Sequence, residues 1–471
     1  PALYRRIVST DADREPRSEL IARTCSMLAT PILTIDPERA AVLAHIILRE
    51  ALAHGPSPHA GSGFLMWSFL VSQREGPVRL RHNLGVYARA VADASPRNAG
   101  RATARHTIYS YSAVFALNWG TDHRALAGEL RELHEQGMRI GNYEWASHAA
   151  HIYCQSLFYR GDPLSEVFDT MQFYRDRMQR VGVRRVSTAL GKFQQAAECL
   201  LGRTDDPMML TGSITDDAEL LAEMKRREDT LGHAGYILLH LLLAAYGGEP
   251  ERDYYRGIQF EHKSSSISTL YSYTVFWFFY GLAAWQVGDV ETGRRALKRT
   301  RLHGLRHSGP HRIHALSAER ARYQARWGHP DRLYRRARRE AIEYQFLSEA
   351  ALIAERHGSM LGDRGRRAEA VLALHAARSL YLQWEAYPAA HRMEAAIGEL
   401  GAGSLTATPG TTPLATVPRP GSAAAVAGPG VTAVSTTAGG APDAGAAEAL
   451  ERTREYAQLL FSSVRDALLL L

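Results

Sequence analysis

The chain has 471 residues, 56 Lys plus Arg against 49 Asp plus Glu, and a formal net charge of +7. That length exceeds a single hydrophobic core of about 250 to 300 residues, so it demands several domains or one elongated array. Ala, Leu, Arg and Glu dominate up to residue 400 and alternating β-branched runs are scarce, which excludes a β-sandwich or barrel and predicts an all-α fold. The positive charge rests on Arg, with Lys only at 192, 225, 263 and 298, a bias typical of GC-rich coding and a poor signal of nucleic-acid binding.

The chain opens Pro1-Ala2-Leu3-Tyr4-Arg5-Arg6, without an initiator methionine or a signal peptide, and reads as a cytoplasmic segment cut from a longer protein. Asp36-Pro37 and Asp162-Pro163 each predict a helix start, an N-cap carboxylate before a proline suited to the first helical position. Gly61-Ser62-Gly63 has too few glycines for a dinucleotide loop and no strand before it. His134-Glu135 lacks the second histidine of a zincin pair. Cys25, Cys154 and Cys199 are widely spaced and predict buried, reduced thiols.

A periodic glycine organises the chain. Gly76, Gly120, Gly161, Gly202, Gly248, Gly288, Gly328 and Gly362 each follow an apolar helical stretch, at intervals of 44, 41, 41, 46, 40, 40 and 34 residues. Helical-hairpin repeats have periods of about 34 to 47. A left-handed glycine ends one helix and lets the chain reverse. A second set of turns, near Gly141, Gly182 and Ser308-Gly309, is expected to join one hairpin to the next. Between the turns the helical period is plain, as in Trp145, Ala149, Ile152, Tyr153, Ser156 and Leu157. Ala296, Ala337 and Ala370 are placed for close helix approach, with Trp285 and Tyr323 filling gaps between hairpins.

Leu270 to Val287 is apolar but short and interrupted by Tyr271, Ser272, Tyr273, Thr274 and Gln286, so it predicts a helix buried on all sides and no membrane span. His307, His311 and His314 have a spacing that could present a metal, yet Pro310 interrupts the helix and no cysteine or carboxylate stands beside them at ligand spacing. The run Arg335-Arg336-Ala337-Arg338-Arg339 reads as a solvated helix face. No P-loop, GxSxG elbow or kinase signature occurs, and the sequence offers no catalytic, cofactor-binding or metal-binding residue.

From 401 to 447 the chain turns to Ala, Gly, Thr, Pro, Ser and Val, a composition that predicts a flexible, disordered linker. The segment 448–471 is expected to be helical again. The domains are therefore a repeat array over 1–400, a linker over 401–447 and a terminal helix.

The wording of several stretches resembles the tetratricopeptide-like helical region of large bacterial multidomain signalling ATPases. They are Leu52-Ala53-His54-Gly55, Ala196 to Gly202 with Leu210-Thr211-Gly212, Gly309 to Arg322, Tyr344 to Glu355 and Ala376 to Ala386. In that family the region lies between a Ser/Thr kinase with an AAA ATPase and a GAF or PAS sensor, often with a histidine kinase. The resemblance implies an α-solenoid of helical hairpins and a non-catalytic scaffold. It would bind a protein or peptide partner, or the parent protein's own kinase, ATPase or sensor domains, on its concave face, without nucleic acid. It also makes 448–471 resemble a signalling helix running into a truncated PAS-like domain. A second reading is the effector-binding helical arm of an ATPase-type transcription regulator, and a third, an enzyme built on a helical array, finds no motif to support it.

Overall fold

The computed structural model describes residues 2–10, 16–74, 76–96, 100–117, 123–261, 267–303, 309–324 and 329–405. Among these are twenty α-helices and no strand. The first six are α1 (Ala2–Ser9), α2 (Pro16–Ile35), α3 (Pro37–His54), α4 (Gly61–Gln73), α5 (Val78–Ala94) and α6 (Arg101–Tyr111), which runs on into a π-helical turn over Ser112–Leu117. The middle of the array is α7 (His123–Arg139), α8 (Tyr143–Arg160), α9 (Leu164–Arg180), α10 (Arg184–Leu200), α11 (Asp217–Arg226), α12 (Thr230–Gly247) and α13 (Pro250–Glu261). The rest is α14 (Ser272–Gln286), α15 (Val290–His303), α16 (Pro310–Tyr323), α17 (Pro330–Glu343), α18 (Leu347–Asp363), α19 (Arg367–Trp384) and α20 (Tyr387–Leu405). The chain divides after Ala402, and the architecture below is that of the first unit. Linker residues 406–447 and the terminal segment 448–471 lie outside the described residues, while 401–405 continue α20.

The turns explain the repeat. Gly141, Gly161, Gly182, Gly202, Gly248 and Gly288 all adopt φ between 72° and 84°, as the periodicity requires. At Gly161 the following amide, Asp162 N, returns to Leu157 O at 3.2 Å, the bond that closes a helix end of this kind. Two members of the expected series differ. Gly76 is not left-handed, and its own amide bonds Val71 O at 2.8 Å; Gly362 lies inside α18, and Gly365 three residues on makes the turn. Gly120 and Gly328 lie outside the described residues. Non-glycine residues fill three further turns, Glu228, Gln345 and Glu385, with φ of 51°, 62° and 68°. Left-handed residues 141, 161, 182 and 202, and again 345, 365 and 385, therefore punctuate the chain every 20 or 21 residues. One helix and one link of two or three residues fit each interval.

The residue after such a turn often starts the next helix. Asp229 and Asp289 cap the amides of Gly232 and Thr292, at 2.9 and 3.1 Å. Asp36 caps Arg39 with Pro37 following, as expected. Asp162 does not cap: its carboxylate pairs with Arg160 instead, and α9 starts one residue later, after Pro163.

Neighbouring helices pack in sequence, and alternate helices α8, α10, α12, α14 and α16 also touch one another, the pattern of an α-solenoid of tetratricopeptide-like hairpins. Ala296, Ala337 and Ala370 are fully buried at these approaches, and a side chain on Gly281 would meet Ala296 at 2.7 Å. Trp285 is fully buried against Gly293, but Tyr323 is 42% exposed and fills no gap. α14 is buried from Ser272 to Trp285 on every face, because helices press on it from both its own layer and the next. Among the described residues one helix, Thr230–Gly247, is long and apolar enough to cross a membrane, with a mean hydropathy of 1.2, and 61% of it is buried in the fold.

The coil winds tightly enough for its turns to touch. Ser72 on α4 donates to Ser268 O at 2.6 Å, and Arg81 on α5 reaches His303 Nδ1 on α15 at 3.0 Å. Tyr159 on α8 accepts through its carbonyl from Ser348 on α18 at 3.4 Å. Glu385 accepts from the Ser165 amide at 2.7 Å. α5 meets α15 and α8 meets α18, ten helices on in each case. Aromatic contacts join these turns as well: the Tyr159 ring centroid lies 6.1 Å from that of Tyr271, and Tyr246 lies 4.7 Å from Trp384, all within one buried cluster.

Candidate binding site

An open cleft with several convergent polar groups lies in the N-terminal half, between α6 and α7. Its volume is about 620 Å³, and Arg101, Arg105, His106, Tyr109, Leu133, Gln136, Arg139 and Ile140 line it with Ala102. Arg101, Arg105 and Tyr109 recur every fourth residue, so one face of α6 presents all three. Arg105 stacks on the Tyr109 ring at 4.1 Å from its centroid, and Arg89 from α5 does so at 4.6 Å. Asp93 fixes this stack, accepting from Tyr109 Oη at 2.6 Å and Arg105 Nε at 2.7 Å. Burial and the Asp93 hydrogen bond both push the Tyr109 hydroxyl up, so it stays protonated. Arg101 donates to Asp93 O at 2.8 Å and Ser95 Oγ at 3.3 Å.

His106 is the floor. Burial pulls its pKa down against the opposing bond to Leu133 O, so the ring is neutral. Its Nε2 gives its proton to Leu133 O at 2.7 Å, and Nδ1 accepts from Asn142 at 3.0 Å. Gly137 allows α7 to close on this ring, since a Cβ there would fall 2.6 Å from His106 Cε1. On the α7 side, Glu132 holds Gln136 at 3.0 Å, while Arg139 and Ile140 form an exposed rim. The arrangement offers guanidinium donors and a carboxamide above an apolar wall, a recognition surface for an anionic group.

The histidines read as a possible metal cluster go elsewhere. His311 lies on α16 with its Nε2 2.7 Å from Glu349 of α18, and His314 Nδ1 is 2.6 Å from Glu340 of α17; His307 lies outside the described residues. Among the described residues no three of His, Cys, Asp and Glu gather as a metal-holding group. His311 belongs to a ladder of ion pairs, buried at two rungs and half-buried at the third. Arg312 pairs with Glu349 through Nε at 2.8 Å, Arg356 pairs with Glu319, and Arg392 pairs with Glu355 at 3.0 Å. Each pair is 37 residues apart, the register that relates α16 to α18 and α18 to α20. Burial raises the Glu349 carboxyl, but the Arg312 charge and the His311 and Arg312 hydrogen bonds outweigh it and hold it at about 2. Asp253 on α13 is also buried, and desolvation pushes its carboxyl well above the usual range despite Arg356.

The other singled-out residues are packing devices. Gly61 and Gly63 stand in the first turn of α4, where a Cβ would fall 2.6 Å from Ala88 O or 2.8 Å from Leu48 Cγ. His134 is buried, with Nδ1 2.9 Å from Ala146 O. The three cysteines are free and buried. Arg335 and Arg336 lie on a solvated face, paired with Asp331 and Glu340 at 3.1 and 2.9 Å. In the stretch around Leu210-Thr211-Gly212, Glu198 and Gln195 accept from the amides of Ser213 and Ile214 and pin the loop before α11.

Sequence reasoning passed over the cleft because a general excess of arginine discounted each of them singly. The Arg101, Arg105, Tyr109 recurrence was the available signal, whereas α7's contribution needs the fold.

No family model matches the chain, and no curated protein matches it. A solved structure described as a circular tandem repeat protein with novel repeat topology and enhanced subunit contact surfaces aligns at 13% identity and a TM-score of 0.17, covering 86% of this chain and 99% of its own.

Proposed function

We propose that this chain is a cytoplasmic, non-catalytic interaction and regulatory scaffold, a segment of a bacterial signal-transduction ATPase or kinase. It couples the binding of a protein or peptide partner to neighbouring ATPase, kinase or sensor modules. The resemblance of the repeat stretches supplies the setting. Physical support comes from the joining of distant hairpins: Arg81 with His303, Tyr159 with Ser348 and Ser165 with Glu385 tie helices lying 189 to 222 residues apart. A load on one hairpin of such a framework is carried to the hairpins stacked against it, as transmission between modules requires.

The test is calorimetric titration of the chain with each module encoded beside it in the full reading frame. Saturable binding of at least one kinase, ATPase or sensor module is expected. Heat of binding to none of them contradicts the proposal.

A further inference from the structure

We propose that the α6–α7 cleft is the partner-docking site and that it takes a short acidic peptide segment, a carboxylate flanked by an apolar side chain. The inference rests on the scaffold reading and specifies its ligand. Three guanidiniums line the volume, from Arg101, Arg105 and Arg139, and guanidinium forks match carboxylates. Most nearby carboxylates are already paired with cations: Asp93 with Arg105, Glu129 with Arg89 and Glu135 with Arg177. Glu132 bonds the neutral Gln136 and keeps its charge, so Arg101 and Arg139 together outweigh it by one positive charge.

The walls choose between anions. Leu133, Ala102 and the exposed Ile140 supply an apolar side that suits an aliphatic side chain and has no use for a phosphate. A nucleic acid would stack its bases on an aromatic face. Arg89 and Arg105 both stack on the Tyr109 ring, and His106 lies buried beneath it with both nitrogens bonded. A peptide carrying Glu or Asp next to Leu or Ile satisfies both halves of the cleft.

Fluorescence anisotropy of a fluorescein-labelled peptide of alternating Leu and Glu, titrated with the chain, tests this. Comparison probes are the same peptide with Gln for Glu, a single-stranded oligonucleotide, and inorganic phosphate as competitor. The Glu peptide is expected to bind at least tenfold tighter than the Gln peptide or the oligonucleotide, to resist millimolar phosphate, and to weaken steeply with salt. Arg139→Glu, on an exposed position, should weaken it about tenfold or more with helicity and melting temperature unchanged, and Arg101→Gln, which also gives up the bonds to Asp93 O and Ser95 Oγ, should weaken it as much with helicity unchanged. Undiminished binding in Arg139→Glu overturns the inference, as does equal binding of the oligonucleotide or displacement by phosphate. The two proposals fail separately: a parent module that binds wild type and Arg139→Glu alike leaves the scaffold and removes this site. Peptide binding of the expected kind with no binding of any parent module removes the scaffold reading instead.

Discussion

Glu349 shows how a single side chain ties two repeats together. It receives Arg312, two helices back, and His311 beside it, all within a fully buried setting where an unpaired charge is costly. Removing the carboxylate leaves Arg312 buried without its counter-charge, with neutral partners such as Thr274 Oγ1 on α14. Glu349→Ala is therefore expected to lower stability by about 3 to 5 kcal/mol in urea unfolding, against about 0.5 kcal/mol or less for Arg335→Ala on the solvated face. The pH dependence has a definite sign. The folded state holds Glu349 at about 2, below its ordinary 4.5, so its stabilisation is complete above 4.5 and drains away as pH falls toward 2. Unfolding of wild type and Glu349→Gln at a series of pH values should show a wide gap at pH 6 that narrows between pH 4.5 and 2. A gap independent of pH would show that the pair does not titrate with folding.

At the scale of the helix and its turn, the glycines separate into two kinds. Around Gly288 nothing lies within 4 Å of an added Cβ, so Gly288→Ala carries only the left-handed backbone cost, about 1 to 2 kcal/mol. A Cβ on Gly161 would fall 2.4 Å from the Ser348 amide nitrogen on the adjacent turn of the coil, so Gly161→Ala should cost clearly more. Chemical denaturation of the two variants decides the order. The non-glycine turns divide likewise: Gln345→Gly relieves the left-handed strain and should be neutral or stabilising by up to about 1 kcal/mol, whereas Glu385→Gly also loses the 2.7 Å bond to Ser165 N and should destabilise. These contrasts also mark what the sequence could convey. Glycine spacing made the helix ends at 141, 161, 182, 202, 248 and 288 readable, because the left-handed conformation selects that residue. Turns at Glu228, Gln345 and Glu385 were hidden, since no local preference of these residues announces a left-handed turn; at Glu385 the bond to Ser165 N helps to hold it. The Arg101–Arg105–Tyr109 face was written in the sequence, but Arg139 and Gln136 reach it only through the packing of α7 on α6.

Across the whole array, the main departure from a simple repeat picture is that hairpins meet others far beyond their immediate neighbours. Hairpin spacing alone carries nearest-neighbour information, so it predicts the solenoid but not the closure of successive turns on one another. That closure turns a string of small units into a connected framework. A nearest-neighbour array frays from its ends, whereas a framework whose turns are locked opens together. Native-state hydrogen exchange followed peptide by peptide tests this directly. The account predicts that the central amides of α8, α14 and α18 share one opening free energy, and that Gly161→Ala lowers it in all three helices. Protection that declines hairpin by hairpin toward the ends, or a loss in Gly161→Ala confined to α8 and α9, would contradict it.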